Sequence, residues 1–179
     1  MVRRTTQGVA NYLNKNHESP SVVIAYDTRK KSRAFAEETA KVLRGNGIQV
    51  YLFHELATVS LLSYAIRELG CTMGIMITAS HNPKIFNGYK VYNSDGYQIV
   101  GSAPKDILDE IDKLDFFDGI ASSEDKIRPV PKEIAGRFIS DIIAMCPQRP
   151  EDTNLSLIYT PLNGTGNRYV RAVLSGAGF

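Results

Sequence analysis

Short apolar runs alternate with amphipathic segments through the first half of the chain. Three runs rich in β-branched and other apolar residues predict buried strands, at residues 21–27, 49–54 and 73–78. Three segments with apolar residues at three- and four-residue intervals predict helices, at residues 5–17, 32–44 and 58–69. Strands and helices in this alternating order favour βαβ units, so we expect a parallel sheet with right-handed crossovers.

The pattern changes after the third strand. The loop from Ala79 to Asn87 is too short for a helical crossover, so the strand that follows should run antiparallel to the third. Two short strand-like runs flank Asn93–Gly96, a sequence typical of a hairpin turn. Apolar periodicity then predicts two further helices, at residues 104–114 and 132–145.

A polar, proline-marked segment at 147–154 reads as a linker. Beyond it we predict a strand at 155–160 and a helix at 168–174, and these two elements cannot bury both of their faces. We therefore predict an α/β fold. A three-layer α/β/α domain with a mixed, mostly parallel sheet would occupy residues 1–150, and the start of a second, incomplete α/β domain would occupy 151–179.

Composition and charge argue against several classes of partner. Of the 179 residues, 43% are hydrophobic and 22% are charged, which is ordinary for a globular protein. The formal net charge of +2 is too small to indicate a nucleic-acid or membrane surface. The chain has no run of roughly 18 apolar residues and no secretory signal behind its N-terminal arginines. We expect a cytoplasmic protein that has neither nucleic acid nor membrane as a partner.

Polar residues follow each of the three predicted parallel strands. Asp27 and Arg29 come after the first strand, His54 after the second, and Ser80 and His81 after the third. In open α/β sheets ligands bind beyond the carboxyl ends of the strands, so we expect these side chains to face one crevice. The candidate site is therefore the loop that carries Ser80.

Ser80 could serve as a nucleophile or as a phosphate carrier. The Gly-x-Ser-x-Gly elbow of esterases is absent, since Thr78 and Asn82 occupy its two glycine positions. A phosphoserine carries a charge of roughly −1.5 to −2 and needs cations nearby. The cations expected at the same edge of the sheet are Arg29, Lys84 and Lys90. Phosphoryl transfer depends mainly on positioning and charge stabilisation, so these surroundings favour the phosphate carrier.

The same residues could also have purely structural roles, with no part in catalysis. Ser80 and Asn82 could be turn residues, and His81 could be a hydrogen-bonded structural histidine. Asp27 and Arg29 could form an ion pair that only supports the fold. The residue pattern by itself leaves these alternatives open.

Three motifs carry a resemblance to a known family. The most specific is T-A-S-H-N-P at 78–83, followed by N-G-Y-K at 87–90. It resembles the phosphoserine signature of the α-D-phosphohexomutases, the phosphoglucomutases and phosphomannomutases. Residues 25–32 are similar to the family's G-x-D-x-R-x-x-S element, with alanine in place of the glycine. Residues 159–164 resemble the opening of its second domain, with asparagine where histidine is common.

The resemblance implies a role for each candidate residue. Ser80 would carry a phosphoryl group, pass it to a hexose phosphate and regain the other phosphoryl group from the resulting sugar bisphosphate. The catalytic residues would be Ser80, Lys90 and His81, with Asn82, Arg29 and Asp27 in support of the loop and the substrate. A sugar bisphosphate would act as activator. Mg²⁺ would bind the phosphate on Ser80 together with three aspartates of a D-G-D-x-D-R loop in the second domain.

Several motifs of the whole family enzyme are absent from these residues. They are the aspartate loop, the sugar-selecting loop of the third domain, the phosphate-binding loop of the fourth and an N-terminal G-T-x-G-x-R-G segment. We therefore expect an inactive fragment of a mutase, with phosphoglucomutase favoured over phosphomannomutase. The alternatives are a phosphopentomutase and a non-catalytic module that binds sugar phosphates.

Overall fold

The computed structural model describes residues 1–116, 118–146 and 155–179. The chain divides into two compact units, Met1–Val130 and Pro131–Phe179. The predicted linker at 147–154, and with it the predicted domain boundary after residue 150, lies outside the described residues. The domain ranges 1–150 and 151–179 therefore stay predictions.

The first unit contains four helices within its described residues. They are α1 (Val2–Asn16), α2 (Ser32–Gly45), α3 (Val59–Glu68) and α4 (Ala103–Asp112). Its five strands are β1 (Ser21–Tyr26), β2 (Gln49–Leu52), β3 (Met73–Ile77), β4 (Tyr89–Asn93) and β5 (Arg128–Pro129). The order across the sheet is β4-β3-β1-β2-β5. β4 runs antiparallel to β3 and the other pairs are parallel, which confirms the predicted mixed, mostly parallel sheet.

Helices cover both faces of this sheet, and the alternation of residues along β3 shows why. Met73, Ile75 and Ile77 belong to the apolar core that also contains residues of α1 and α2. Gly74 faces the opposite way and leaves room for Ile66 of α3. All five residues of β3 are buried, as predicted for a parallel-type strand that is covered on both faces. The three-layer α/β/α arrangement is therefore confirmed.

Three strands differ from the prediction. The strand-like run after Gly96 forms only an isolated bridge, between Gln98 and Tyr92. β5 was not predicted, because its two residues are exposed and show no apolar alternation. The strand predicted at 155–160 is wrong for this chain, since these residues form no strand. Their apolar side chains stay largely in solvent, with Ile158 fully exposed. An apolar, strand-like sequence becomes a strand only when a neighbouring strand pairs with its backbone.

The second unit has two described helices, α5 (Lys132–Met145) and α6 (Asn167–Gly176). They pack together through an edge-on contact between the rings of Phe138 and Tyr169, whose centroids lie 6.5 Å apart. α5 has the predicted bounds, and α6 is longer than predicted at both ends. Among the described residues, no helix has the length and apolar character that crossing a bilayer requires.

Candidate active site

The loop that carries Ser80 leaves the carboxyl end of β3 and returns to the sheet as β4. Its two ends are joined by a hydrogen bond from the Thr78 N–H to the Gly88 carbonyl oxygen, at 3.0 Å. Ser80 is exposed and has a φ of 57°, in the left-handed region. This conformation costs a non-glycine residue about 1–2 kcal/mol, so other contacts must hold it. The loop thus presents a serine hydroxyl to solvent at the end of a buried strand.

The guanidinium of Arg29 provides many of these contacts, because it donates to four main-chain carbonyl oxygens of the loop. The acceptors are those of Ser80 at 2.7 Å, Asn82 at 2.6 Å, Pro83 at 2.9 Å and Phe86 at 3.0 Å. The remaining donor, Nε, binds Asp27 at 3.1 Å. A guanidinium has five N–H donors, so all of those of Arg29 are occupied. Arg29 therefore stabilises the loop. Its N–H groups are all used, so none is left to bind a phosphate on the Ser80 hydroxyl.

The carboxylate of Asp27 accepts hydrogen bonds from the β1–α2 segment, from α2 and from the serine loop. Its Oδ2 accepts from the hydroxyl of Thr78 at 2.6 Å, and its Oδ1 accepts from the hydroxyl of Ser32 at 2.7 Å. The main-chain N–H of Arg29 also donates to Oδ1, at 3.0 Å. Asp27 and Arg29 are 12% and 11% exposed, so their ion pair is largely shielded from water. The predicted support residues Asp27 and Arg29 thus lie directly beneath the loop.

The other residues expected to be catalytic are His81, which lies within the loop, and Lys90, which lies on the strand that follows it. The Nδ1 atom of His81 is 3.5 Å from the Ser80 hydroxyl oxygen, at the outer limit for a hydrogen bond. Lys90 lies on β4 and pairs with Met76 in the β3–β4 register. The side chain of Lys90 is therefore on the sheet face that carries α3, next to the strand that leads to Ser80.

His54 does not join the serine loop. It lies beyond β2, and its carbonyl oxygen accepts a 2.8 Å hydrogen bond from the Tyr26 hydroxyl. His54 lines a cleft of about 490 Å³ together with Asp27 and Arg29, so the expected crevice holds these three residues but not Ser80 or His81. Arg33 and Lys31 also line this cleft, which has the size of a small-molecule site.

Thr78, Ser32 and Asn87 contact the site although sequence reasoning gave them no role. Thr78 and Ser32 are buried. Asn87 donates to the Ser32 hydroxyl oxygen at 2.8 Å. Their positions in the two motifs could have indicated these roles. Ser32 ends the first motif, Thr78 begins the second, and Asn87 begins the N-G-Y-K sequence that follows it.

The described residues do not form a metal site by themselves. Among them, no cluster of three or more His, Cys, Asp or Glu side chains could hold an ion.

Residues 1–118 match the family described as phosphoglucomutase/phosphomannomutase, alpha/beta/alpha domain I. The chain belongs to this family. A phosphoglucomutase of Staphylococcus aureus (strain USA300) is 38% identical over 183 aligned residues, which cover 99% of the chain and 33% of that relative. The chain thus spans about a third of the length of the curated relatives that it matches.

Solved structures share the fold. A phosphoglucomutase/phosphomannomutase family protein of Burkholderia thailandensis superimposes with a TM-score of 0.76 at 20% identity, over 99% of this chain and 38% of that one. The open form of the Paramecium phosphoglucomutase parafusin gives a TM-score of 0.73 at 16% identity, over the same shares of the two chains. At these identities the likeness concerns the fold alone.

Proposed function

We propose that this chain is the phosphoserine domain of a sugar-phosphate mutase and that Ser80 carries the phosphoryl group. The observation that carries the proposal is the exposed Ser80 hydroxyl on a loop whose backbone is held by the four terminal N–H donors of Arg29. Phosphoryl transfer depends on positioning, so a braced loop suits a group that must give and regain a phosphate at one place. Family membership supports the same conclusion.

In the proposed reaction the bond between the Ser80 oxygen and phosphorus breaks while a hydroxyl oxygen of the hexose phosphate bonds to that phosphorus. The hydroxyl proton of the sugar leaves to a base, the departing Ser80 oxygen takes up a proton, and the products are a sugar bisphosphate and the free Ser80 hydroxyl. The bisphosphate then turns around and returns its other phosphoryl group to Ser80. Lys90 stabilises charge or assists proton transfer beside the loop, and His81 lies close enough to the hydroxyl oxygen to affect its protonation.

The substrate we propose is glucose phosphate rather than mannose phosphate, because the Staphylococcus aureus relative is named a phosphoglucomutase. Mg²⁺, when bound through the phosphate on Ser80, would supply charge neutralisation at the phosphoserine. A sugar bisphosphate primes the serine. We place the reaction in the cytoplasm, and we propose that the 179-residue chain alone does not turn over substrate.

The test assays the protein in the longest form that the cell makes, with glucose, mannose and ribose 1-phosphates as substrates. We expect turnover with glucose 1-phosphate that Ser80→Ala abolishes. Ser94→Ala, which removes an exposed serine of the hairpin turn, is the matched control and should retain activity. Undiminished turnover in Ser80→Ala would contradict the proposal. A preference for ribose 1-phosphate would favour a phosphopentomutase, and binding without turnover would favour a non-catalytic module.

A further inference from the structure

A closed ring of hydrogen bonds joins both ends of the serine loop to the end of β1 and the start of α2. The hydroxyls of Thr78 and Ser32 donate to Asp27 at 2.6 and 2.7 Å. Asn87 donates to the Ser32 hydroxyl oxygen at 2.8 Å and accepts from the Gly88 N–H at 2.9 Å. The Gly88 carbonyl oxygen then accepts from the Thr78 N–H at 3.0 Å, which closes the ring.

The chemistry of the ring decides the direction of each hydroxyl. A carboxylate paired with an arginine only accepts, so both hydroxyls must give their single proton to Asp27. The oxygen of Thr78 is then free to accept, and it accepts from the main-chain N–H of Ser80 at 3.0 Å. Asp27 therefore orients the hydroxyl that binds Ser80.

The ring is shielded and tightly packed. Ser32 is fully buried and Thr78 is 6% exposed, so a missing partner would leave a buried polar atom without a hydrogen bond. Gly88 has no room for a side chain, because an added Cβ would lie 2.6 Å from the Thr78 carbonyl oxygen. The close contact with Gly88 therefore restricts the position of Thr78 between the end of β3 and the start of β4.

We propose that Thr78 is a positioning residue for Ser80. Its hydroxyl, oriented by Asp27 and secured through Ser32 and Asn87, holds the Ser80 N–H and with it the left-handed backbone that presents the serine oxygen. The part of the inference that concerns phosphoryl transfer rests on the function proposed above. The part that concerns the loop backbone does not.

The test measures hydrogen exchange at the Ser80 amide in this chain. Thr78→Val keeps the shape of the side chain and removes the hydroxyl, and we expect the Ser80 amide to exchange about tenfold faster, the factor that follows from losing one hydrogen bond. Thr78→Ser restores the hydroxyl and should restore slow exchange. Thr72→Val is the matched control, because the Thr72 hydroxyl also accepts a main-chain N–H, that of Ser21 at 3.1 Å, at the amino ends of β1 and β3. It should leave the Ser80 amide unchanged.

Ser32→Ala provides a second variant, should Thr78→Val not fold. It opens the ring at a residue whose hydroxyl bonds to Asp27 and Asn87, and it should still speed exchange at the Ser80 amide by several-fold. Unchanged exchange at Ser80 in the folded variants overturns the inference.

Activity then separates this inference from the proposed function. In the longest form of the protein, Thr78→Val should lower kcat about tenfold with little change in KM, and Thr78→Ser should recover it. If Ser80→Ala leaves turnover intact, the proposed function fails whatever the exchange data show. If Ser80→Ala abolishes turnover but Thr78→Val changes neither exchange nor kcat, only the positioning role fails.

Discussion

The guanidinium of Arg29 binds the main-chain carbonyl oxygen of Ser80 at 2.7 Å across 51 positions of sequence. This contact joins the motif at 25–32 to the motif at 78–83. The first motif supplies donors and acceptors, and the second supplies main-chain oxygens and the exposed hydroxyl of Ser80. The two motifs therefore build one site, in which β1 and α2 hold the loop that follows β3.

Arg29→Lys should destabilise the chain by about 2 kcal/mol. Lysine keeps the positive charge, but its single ammonium cannot reach four carbonyl oxygens and a carboxylate in a planar fork. Hydrogen bonds from charged donors contribute about 1.5–3 kcal/mol each, and lysine should recover part of that sum. The measurement is urea-induced unfolding of the two proteins, with hydrogen exchange at residues 80–86 as a local readout.

Arg33→Lys is the matched control for that substitution. Arg33 is 69% exposed and pairs with Glu37 one turn along α2, so the same change should alter stability by less than about 0.5 kcal/mol. Equal losses in the two variants would show that the loop contacts of Arg29 contribute no more than a surface ion pair.

Ser80→Gly should be more stable than Ser80→Ala by about 1 kcal/mol. The φ of 57° at Ser80 strains any residue with a Cβ, whereas glycine adopts it at little cost. Neither variant has the hydroxyl, so the difference in their stability reflects the backbone conformation alone. Thermal unfolding measures it, and alanine equal to or more stable than glycine would show that the loop relaxes to a negative φ.

Gly88→Ala should destabilise the chain by about 1–3 kcal/mol, because the new methyl group would meet the Thr78 carbonyl oxygen. Gly136→Ala is the contrasting variant. Gly136 lies in α5 with open space around its Cβ position, so alanine should stabilise by up to about 1 kcal/mol. Urea unfolding compares the two, and a neutral Gly88→Ala would mean that β3 and β4 separate easily at the base of the loop.

The course of β3 and the place of its loop could be predicted from sequence, because a buried strand shows as an uncharged apolar run with polar residues at its end. The hydrogen-bond partners of Arg29 could not be predicted in this way. Four of them are main-chain oxygens, which have no side-chain signature, so sequence reasoning placed Arg29 among the cations for a phosphate. The structure instead shows a support whose donors are all used.

Strand pairing was the second feature that could not be predicted from the sequence. β5 consists of Arg128 and Pro129, and it is a strand only because its backbone pairs with Tyr51 and Leu52 of β2. Residues 155–160 have the apolar pattern of a strand and no such pairing within the described residues. Strand formation depends on a neighbour that local sequence does not reveal.

Tyr89 should make the stability of the chain fall at alkaline pH. Its hydroxyl lies 3.3 Å from the Thr6 hydroxyl, and burial raises the pKa of Tyr89 well above its usual value near 10. Below about pH 10 the tyrosine is protonated in both states, so its contribution to stability is fully present and does not depend on pH. Above that pH the unfolded chain releases the proton while the folded chain keeps it, and the free energy of unfolding falls.

Tyr89→Phe removes this proton, so the difference in unfolding free energy between the native chain and the variant should be constant up to about pH 10. It should then shift against the native chain by about 1.4 kcal/mol by about pH 11. Burial also raises the pKa of Cys71, to about 11, but that thiol is present in both proteins and cancels in the difference. Urea unfolding at a series of pH values gives the curve. A difference that stays constant through this range would show that water reaches the Tyr89 hydroxyl and that the contact with Thr6 does not seal it.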